Sequence, residues 1–255
     1  MIKHLFNYFS KPLYRKILDL VIPDLILSDK IRLGKQNDGG YVIAKSNISK
    51  YKYLLSFGIS NDVSFEKDFV KNNPNCRIFC FDPTVDSLPE QIENANFYKI
   101  GIDLKSNSEY KTLKDILSIV GICESDLKYT FLKMDIEGYE WRVFSHFESF
   151  SIINRIDQIA LELHFKYITH GTKYELPFEL FKRARYLKTL KENFYFFNLH
   201  ANNCFGLEGF TRYHKFQFPH VVEISLLNKN SLPDVVIDIN QVCNPEKPDI
   251  QKFYL

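Results

Sequence analysis

The stretch LKYTFLKMDIEGYEWRVF, residues 127–144, decides the fold. Its apolar first half has the composition of a buried strand and ends at Asp135. Glu137 and Gly138 then form a turn, and EWRVF begins a helical pattern. Carboxylates one residue apart at a strand end either solvate the turn or face a positive group. A strand that passes through a turn into a helix is half of a β–α–β unit, from which parallel sheets are built.

The same alternation of apolar strand and amphipathic helix runs through most of the chain. The predicted strands are YKYLLSFG (51–58), CRIFCFD (76–82), NFYKIGI (96–102), YTFLKMD (129–135), IDQIALELHF (156–165), FYFFNLHANN (194–203) and HVVEISLLNK (220–229). The predicted helices are DVSFEKDFVKN (62–72), SLPEQIENA (87–95), YKTLKDILSIV (110–120), EWRVFSHF (140–147) and ELPFELFKRARYLKTLKEN (175–193). Strands that are apolar throughout indicate a mostly parallel α/β sheet with helices on both faces. The last two strands lack a long helix between them, so we expect one antiparallel strand near the sheet edge.

Composition indicates one globular domain over residues 1–255, with residues 1–30 as an N-terminal helical extension. Apolar residues in the segment 13–21 have helical spacing, which favours an amphipathic helix packed on the domain; a helix on a membrane surface is the alternative. No run approaches the ~18 uncharged apolar residues of a membrane span, so we expect none. A net charge of +2 gives no case for a nucleic-acid partner. Five cysteines without metal-binding spacing fit reduced thiols and a cytoplasmic location.

The ends of the first two strands of the sheet predict a nucleoside site. Gly58 permits a tight turn and the close approach of a ligand, and Asp82 follows 24 positions later, where an acid accepts hydrogen bonds from ribose hydroxyls. The residues after Gly58 form no GxGxxG pattern, which disfavours a dinucleotide with its pyrophosphate. A nucleoside without phosphates fits better, and S-adenosylmethionine is such a ligand. The alternatives are a plain turn glycine and a helix-capping aspartate.

Two later strand ends predict a cluster of acids and imidazoles. Asp135 and Glu137 would share one face by strand alternation, as would Glu162 and His164. Because neighbouring parallel strands end at the same edge of the sheet, these four side chains should converge. Carboxylate oxygens with one imidazole suit Mg²⁺ or Mn²⁺ better than zinc. The alternatives are solvated turns and a core histidine. His200 stands at the end of a further strand.

Several of these segments resemble the FkbM-type S-adenosylmethionine-dependent methyltransferases. LKMDIEGYEW resembles their K-[IM]-D-[IV]-E-G-x-E signature, and RLGKQNDGGYVI, SFGISNDVSFEKDF and PHVVEISLL resemble other parts of the family, over roughly residues 30–228. The resemblance implies a class I methyltransferase fold, a seven-stranded Rossmann-like sheet with a reversed terminal strand, and methyl transfer to oxygen on sugars and natural products.

The resemblance also implies roles for individual residues. Gly58 and Asp82 would contact the cofactor, and Asp38, Gly39 and Gly40, which by themselves predict a hairpin turn, would lie near its methionine end. Ser56 departs from the family, where many members carry aspartate in a D-x-G loop; Asp62 or backbone carbonyls would then bind the cofactor's amino group. A divalent metal held by Asp135, Glu162 and His164 is carried over from related sugar O-methyltransferases.

These observations predict an S-adenosylmethionine-dependent O-methyltransferase acting on a sugar hydroxyl of a nucleotide-linked sugar or polysaccharide precursor. Glu137 or His200 would be the general base; without a metal, His164 or His200 would take that role. The competing interpretations are an NAD-dependent or nucleotide-sugar oxidoreductase on the same kind of sheet, and a non-catalytic module with a methyltransferase fold. The sequence leaves the oligomeric state open, with a homo-oligomer among its options.

Overall fold

A computed structural model of the protein describes residues 2–36, 39–165, 177–201, 210–213 and 216–234. Its centre is a seven-stranded sheet. In spatial order the strands are β10 (Phe194–Ala201), β13 (Val221–Asn228), β9 (Gln158–His164), β8 (Thr130–Met134), β3 (Tyr53–Phe57), β4 (Arg77–Phe81) and β5 (Ala95–Tyr98). Strand β13 is antiparallel to both β9 and β10, and the other neighbours are parallel.

The strand order identifies the fold class. The chain runs outward from β3 through β4 to β5, returns to β8 beside β3, and continues outward through β9. The order therefore reverses between β3 and β8, which is where ligands bind in sheets of this kind. With the reversed β13 between β9 and β10, this is the class I methyltransferase arrangement, and the predicted Rossmann-like fold is confirmed.

An N-terminal hairpin lies against one face of the sheet. Strands β1 (Lys30–Leu33) and β2 (Tyr41–Ala44) pair antiparallel, as the glycine-rich turn predicts. Strand β2 is fastened by two hydrogen bonds, from Ser225 Oγ to the Val42 carbonyl and from the Ala44 amide to Gln158 Oε1, both 2.6 Å. The hairpin is thus attached to β13 and to the start of β9.

Helices cover both faces of the sheet, as predicted. They are α1 (Ile2–Val21), α2 (Ser64–Asn72), α3 (Leu113–Val120), α4 (Glu140–Ser145), α5 (Phe147–Ile153) and α6 (Pro177–Asn193). On one face, Leu55 and Leu132 pack in a large core with α1 and α3 to α6. On the other, Leu54 and Phe131 pack with α2 and the hairpin. Residues that alternate along β3 and β8 thus enter different cores, as strand geometry requires.

Helix α1 belongs to the larger core, because Ile17 and Val21 are buried there. This agrees with the predicted amphipathic helix packed on the domain. None of the helices in the described part of the chain is long and apolar enough to cross a membrane. That residues 1–255 form a single domain stays a prediction. A further short hairpin joins β11 (Phe210–Tyr213) and β12 (Phe216–Pro219).

One prediction of secondary structure was wrong, and a second was confirmed only in part. Residues 87–94 form turns, bends and irregular segments instead of a helix, and Ala95 already belongs to β5. Pro89 lacks an amide donor and disfavours helical conformation in the residue before it, while Leu88 and Ile92 pack on the smaller core without a helix. The predicted strand 96–102 is also divided, because after β5 the chain forms a separate strand β6 (Gly101–Ile102), which pairs with β7 (Tyr110–Lys111).

The predicted helix 140–147 ends early, at Ser145. His146 then caps α5, and its ring accepts a hydrogen bond from the Ser149 amide. Because the backbone of His146 is extended, α4 ends before it and is a short helix directly after the turn 135–138. The side chains at the start of α4 therefore stay close to the end of β8.

Candidate cofactor pocket and acidic cluster

A cavity of about 310 Å³ lies at the carboxyl ends of β3, β4 and β8. Its lining includes Gly58, Ser60, Asp82, Tyr110, Asp135 and Glu137. Small-molecule sites in proteins have volumes of about 300–1,000 Å³, so this cavity is large enough for a nucleoside ligand. It also lies at the point where the strand order reverses, the expected binding position in an open parallel sheet.

Gly58 fits tightly between two strand ends. Its φ is +78°, and a Cβ atom there would lie 1.6 Å from the carbonyl oxygen of Asp135. Its amide donates to the Phe81 carbonyl (3.0 Å), which ties the loop after β3 to the end of β4. Only glycine combines this backbone conformation with this approach. The residue therefore sets the shape of one wall of the cavity.

Asp82 organises the loops around the cavity. Its Oδ2 accepts hydrogen bonds from the amides of Ile59 (2.9 Å) and Ser60 (2.8 Å), and its Oδ1 accepts from the amide (2.7 Å) and hydroxyl (2.6 Å) of Thr84. Burial raises the pKa of Asp82, but these hydrogen bonds outweigh it and lower the pKa below its usual value. A carboxylate has about four lone-pair positions. A ribose diol would therefore compete with Thr84 for the Oδ1 atom.

Next to the cavity, three of the predicted metal ligands come together. One ligand atom from each of Asp135, Glu162 and His164 lies within 4.8 Å of the others. His164 Nε2 is 3.5 Å from Glu162 Oε1, and Tyr41 of the hairpin donates to Asp135 Oδ2 at 3.0 Å. Ligands on one Mg²⁺ ion lie within roughly 4.2 Å of each other, so small side-chain adjustments would let this set close on one ion.

Glu137 reaches the same cluster by a different route from the predicted one. Strand β8 ends at Met134, so strand alternation does not extend to Glu137, which has a φ of +56°. Its side chain is 80% exposed, and its Oε2 lies 3.4 Å from His164 Nε2. Glu137 is thus the solvent-facing carboxylate of the cluster.

Sequence reasoning missed Glu140, which holds the ring of His164. Glu140 is fully buried at the start of α4, and its Oε1 lies 3.1 Å from His164 Nδ1. The same oxygen accepts from the amides of Ile136 (3.1 Å) and Gly138 (3.2 Å). The next residue, Trp141, donates from Nε1 to the His164 carbonyl at 2.6 Å. The signal was available, because Glu140 is the last glutamate of the D-[IV]-E-G-x-E pattern.

Two groups of the cluster have strongly shifted pKa values. Burial lowers the pKa of His164, but the hydrogen bond and charge of Glu140, with the charges of Glu162 and Asp135, outweigh it and raise the pKa to about 10. Burial raises the pKa of Asp135 to about 6, against the lowering effects of Lys133 and His164. The carboxylates therefore favour a cation beside them, either a proton on His164 or a metal ion.

Glu223 extends the polar row away from the cavity, and sequence reasoning missed it as well. In the sheet register it stands opposite Glu162 on one side and His200 on the other. His200 Nδ1 lies 3.4 Å and Arg32 Nη1 3.9 Å from Glu223 Oε2. His200 is therefore two strands from Glu162, or roughly 10 Å. It contacts Glu223 and does not join the set formed by Asp135, Glu162 and His164.

The remaining predicted cofactor residues form a separate group at the start of α2. Asp62 accepts a hydrogen bond from the Ser64 amide (3.0 Å) and pairs with Lys35 (3.2 Å). Gly39 lies so close that a Cβ there would be 2.3 Å from Asp62 Oδ2. Gly40 follows in the same turn. None of these residues belongs to the described cavity lining. Asp38 lies outside the described residues.

Comparison with known proteins adds little. No protein-family model matches the chain, and no curated protein matches it. Among solved structures, it is similar to one described as the crystal structure of a fibrillarin/Nop5p complex, with 12% identity and a TM-score of 0.40 over 70% of this chain and 73% of that chain. A similarity of that size carries no argument about activity. The fold assignment rests on the strand order and directions.

Proposed function

We propose that this chain is an S-adenosylmethionine-dependent O-methyltransferase of the FkbM type, acting on a sugar hydroxyl with the help of a divalent metal. One observation carries the proposal: the nucleoside-sized cavity and the cluster of candidate metal ligands share Asp135, and Glu137 borders both. A methyl donor in the cavity would thus have its reactive end beside groups that can bind and deprotonate a hydroxyl. The fold, with its switch point at this position, agrees with that arrangement.

The cavity has the mixed lining that an adenosyl compound needs. Tyr110, Tyr139 and Ile102 offer apolar and aromatic surface, and the Tyr110 and Tyr139 rings stack at 6.1 Å. Ser60 and Asp82 offer polar groups. Bound there, S-adenosylmethionine supplies an activated methyl group, and this chain's residues align the acceptor with it. Gly39, Gly40, Asp38 and Asp62 remain proposed contacts for the methionine end.

Asp135, Glu162 and His164 would hold Mg²⁺ or Mn²⁺. Two carboxylates and one imidazole form a suitable donor set, and Glu140 fixes the ring so that Nε2 faces the carboxylates. A cation held by these three residues would lower the pKa of a hydroxyl bound to it and would orient that hydroxyl. Without a metal, the pKa of His164, raised to about 10, keeps its ring protonated, so His164 stays in the proposal as a charged group of the cluster that orients the acceptor.

Glu137 is our preferred general base. Its carboxylate is exposed and borders the cavity, where an acceptor hydroxyl would arrive. His200 was the other candidate, but it lies two strands away from Glu162 and contacts Glu223 on the strand between them. We keep His200 in the proposal as a residue that would contact the acceptor.

The acceptor class follows from the resemblance: a nucleotide-linked sugar or a polysaccharide precursor. A cytoplasmic location stays a prediction of the sequence, and the oligomeric state stays open, with a homo-oligomer among its options.

Two binding measurements and one activity measurement test the proposal. Calorimetry should detect S-adenosylhomocysteine binding and no NAD binding; the reverse result would favour an oxidoreductase. Radiolabelled methyl transfer to a panel of nucleotide-linked sugars should stop with EDTA and return with Mn²⁺. Binding of S-adenosylhomocysteine without transfer to any sugar, with or without metal, would refute nucleotide-linked sugars as acceptors and would favour the non-catalytic module.

A pair of variants makes the test specific to the cluster. Glu162→Gln should lower the transfer rate about a hundredfold or more, since even changes beyond the ligands themselves cost 10–100-fold. Glu148→Gln is the matched control, because Glu148 of α5 is half-exposed and pairs with Lys114 of α3. Equal rates in the two variants would refute the role of the cluster.

A further inference from the structure

A buried charged pair lies beneath the loop that forms one wall of the cavity. Lys133 of β8 is 4% exposed, and Glu66 of α2 and Ser56 of β3 are fully buried. None of the three lines the cavity, and the proposed methyl transfer uses none of them directly. Moving an ammonium and a carboxylate out of water costs several kcal/mol for each ion, so their position calls for a physical reason.

The contacts of Lys133 join the loop to the helix. Its Nζ donates to the Gly58 carbonyl at 2.8 Å and lies 3.7 Å from Glu66 Oε1. The Ser56 hydroxyl donates to the same Glu66 oxygen through a short hydrogen bond. The ammonium also lies 5.7 Å from the centre of the Tyr41 ring. Lys133 therefore contacts the loop after β3, helix α2 and the hairpin.

Pairs of this kind add little stability over well-packed apolar side chains of similar volume. What Lys133 provides that an apolar residue cannot is a charged donor aimed at one carbonyl. That carbonyl belongs to Gly58, whose conformation allows the loop to approach Asp135 so closely. Fixing the Gly58 carbonyl also fixes the next two amides, which donate to Asp82.

We propose that Lys133 is a positioning residue for the cofactor loop 58–60, and that Glu66 supplies the carboxylate that keeps its ammonium in place. This inference rests on the proposed function, since it concerns the same cavity. It also accounts for Ser56, which stands where the resemblance expects an aspartate: the carboxylate comes from helix α2 instead of strand β3. Glu66 thus replaces the missing aspartate only as the partner of Lys133, and Asp62 keeps its proposed contact with the methionine end of the cofactor.

The test uses the full chain and two readouts. S-adenosylhomocysteine affinity is measured by calorimetry, and amide hydrogen exchange of the loop 58–63 is measured in the ligand-free protein. Lys133→Met should weaken binding about tenfold or more and speed loop exchange by a similar factor, as expected for loss of a hydrogen bond from a charged donor. Glu66→Gln should change both readouts in the same direction.

A rescue variant makes the test specific. Ser56→Asp in the Glu66→Gln background returns a carboxylate to the position beside Lys133, because the Ser56 side chain already reaches the Glu66 oxygen. The affinity for S-adenosylhomocysteine and the exchange rate of the loop should return to within about threefold of wild type. That remaining difference is smaller than the loss expected from one hydrogen bond to a charged group. Lys52→Met is the control for Lys133→Met, since Lys52 lies just before β3 and its exposed side chain pairs with Asp126.

The outcomes separate this inference from the proposed function. If wild type does not bind S-adenosylhomocysteine, the proposed function fails, and loop exchange still tests the anchor. If wild type binds but Lys133→Met and Glu66→Gln match the Lys52→Met control, the anchor is refuted. Failure of Ser56→Asp to restore either readout refutes the role given to the Glu66 carboxylate. Should Lys133→Met not fold, the two Glu66→Gln variants carry the test, because both retain the lysine.

Discussion

Replacing Gly58 by alanine should damage the site far more than replacing Gly121, although both glycines have a positive φ. The φ angles are +78° at Gly58 and +72° at Gly121. At either position the left-handed conformation costs alanine about 1–2 kcal/mol. The space for the new methyl group differs. Nothing lies within 4 Å of it at Gly121, whereas at Gly58 it would lie 1.6 Å from the Asp135 carbonyl oxygen.

The clash at Gly58 involves backbone on both sides, so side-chain rotation does not relieve it. Because non-bonded atoms settle at about 3.5 Å, the loop and the end of β8 must separate by roughly 2 Å. This breaks the hydrogen bonds from the Asp135 amide to Phe57 (3.1 Å) and from the Gly58 amide to Phe81 (3.0 Å). At about 1 kcal/mol each, the total loss is about 3–4 kcal/mol, against about 1–2 kcal/mol for Gly121→Ala.

Urea denaturation gives the free energy of unfolding of both variants, and calorimetry gives their affinity for S-adenosylhomocysteine. Gly58→Ala should bind it at least about tenfold more weakly at a temperature where the variant is folded, since a 1.4 kcal/mol distortion of the site has that effect. Gly121→Ala should bind it like wild type, because Gly121 ends α3 away from the cavity. Equal stability losses in the two variants, or unchanged affinity in Gly58→Ala, would refute the reasoning.

Glu140→Gln should weaken Mn²⁺ binding by about 10–100-fold in electron paramagnetic resonance titrations, with half-exposed Glu148→Gln unchanged; equal affinities would contradict the assigned contact. Asp82→Asn should flatten the acid side of the stability–pH curve. Burial is outweighed by hydrogen bonds that lower the pKa of Asp82 in the folded protein. Its contribution to the free energy of unfolding is therefore complete above the pKa of the unfolded chain, about 3.9, and is lost as the pH falls through the folded pKa. Iodoacetamide should label exposed Cys123 in the native protein and should label Cys76 only after unfolding, because burial raises the pKa of the Cys76 thiol to about 12. Peptide mapping of labelled native protein checks this, and label on Cys76 would contradict its burial.

The fold was predictable wherever local signals agreed with each other. Helix α3 shows this, because its apolar residues at 113, 116, 117 and 120 are all buried, Thr112 caps its start and Gly121 ends it. The segment 87–95 shows the opposite case. The segment looks helical in sequence, but Pro89 stands between its apolar residues Leu88 and Ile92. Their burial comes from packing against the smaller core, which no local pattern reveals.

The candidate site was predictable where it depends on strand alternation alone. Glu162 and His164 share a face because β9 continues to His164. Glu137 joins the cluster through a turn with a φ of +56°, which the sequence does not encode in any simple pattern. Glu223 was missed because its place opposite Glu162 depends on the register of an antiparallel strand, and that register is set by long-range pairing.

The hairpin at residues 30–44 belongs to the site and is more than a cover for the sheet. Tyr41 is buried, and burial together with the charge of Asp135 raises the pKa of its hydroxyl well above the usual value. The phenol therefore stays protonated and donates to Asp135, the residue that the cavity and the cluster share. The hydrogen bonds of β2 to Ser225 and Gln158 hold this donor in place. Because Lys133 faces the same ring, one hairpin residue contacts both the candidate metal ligand and the anchor of the cofactor loop.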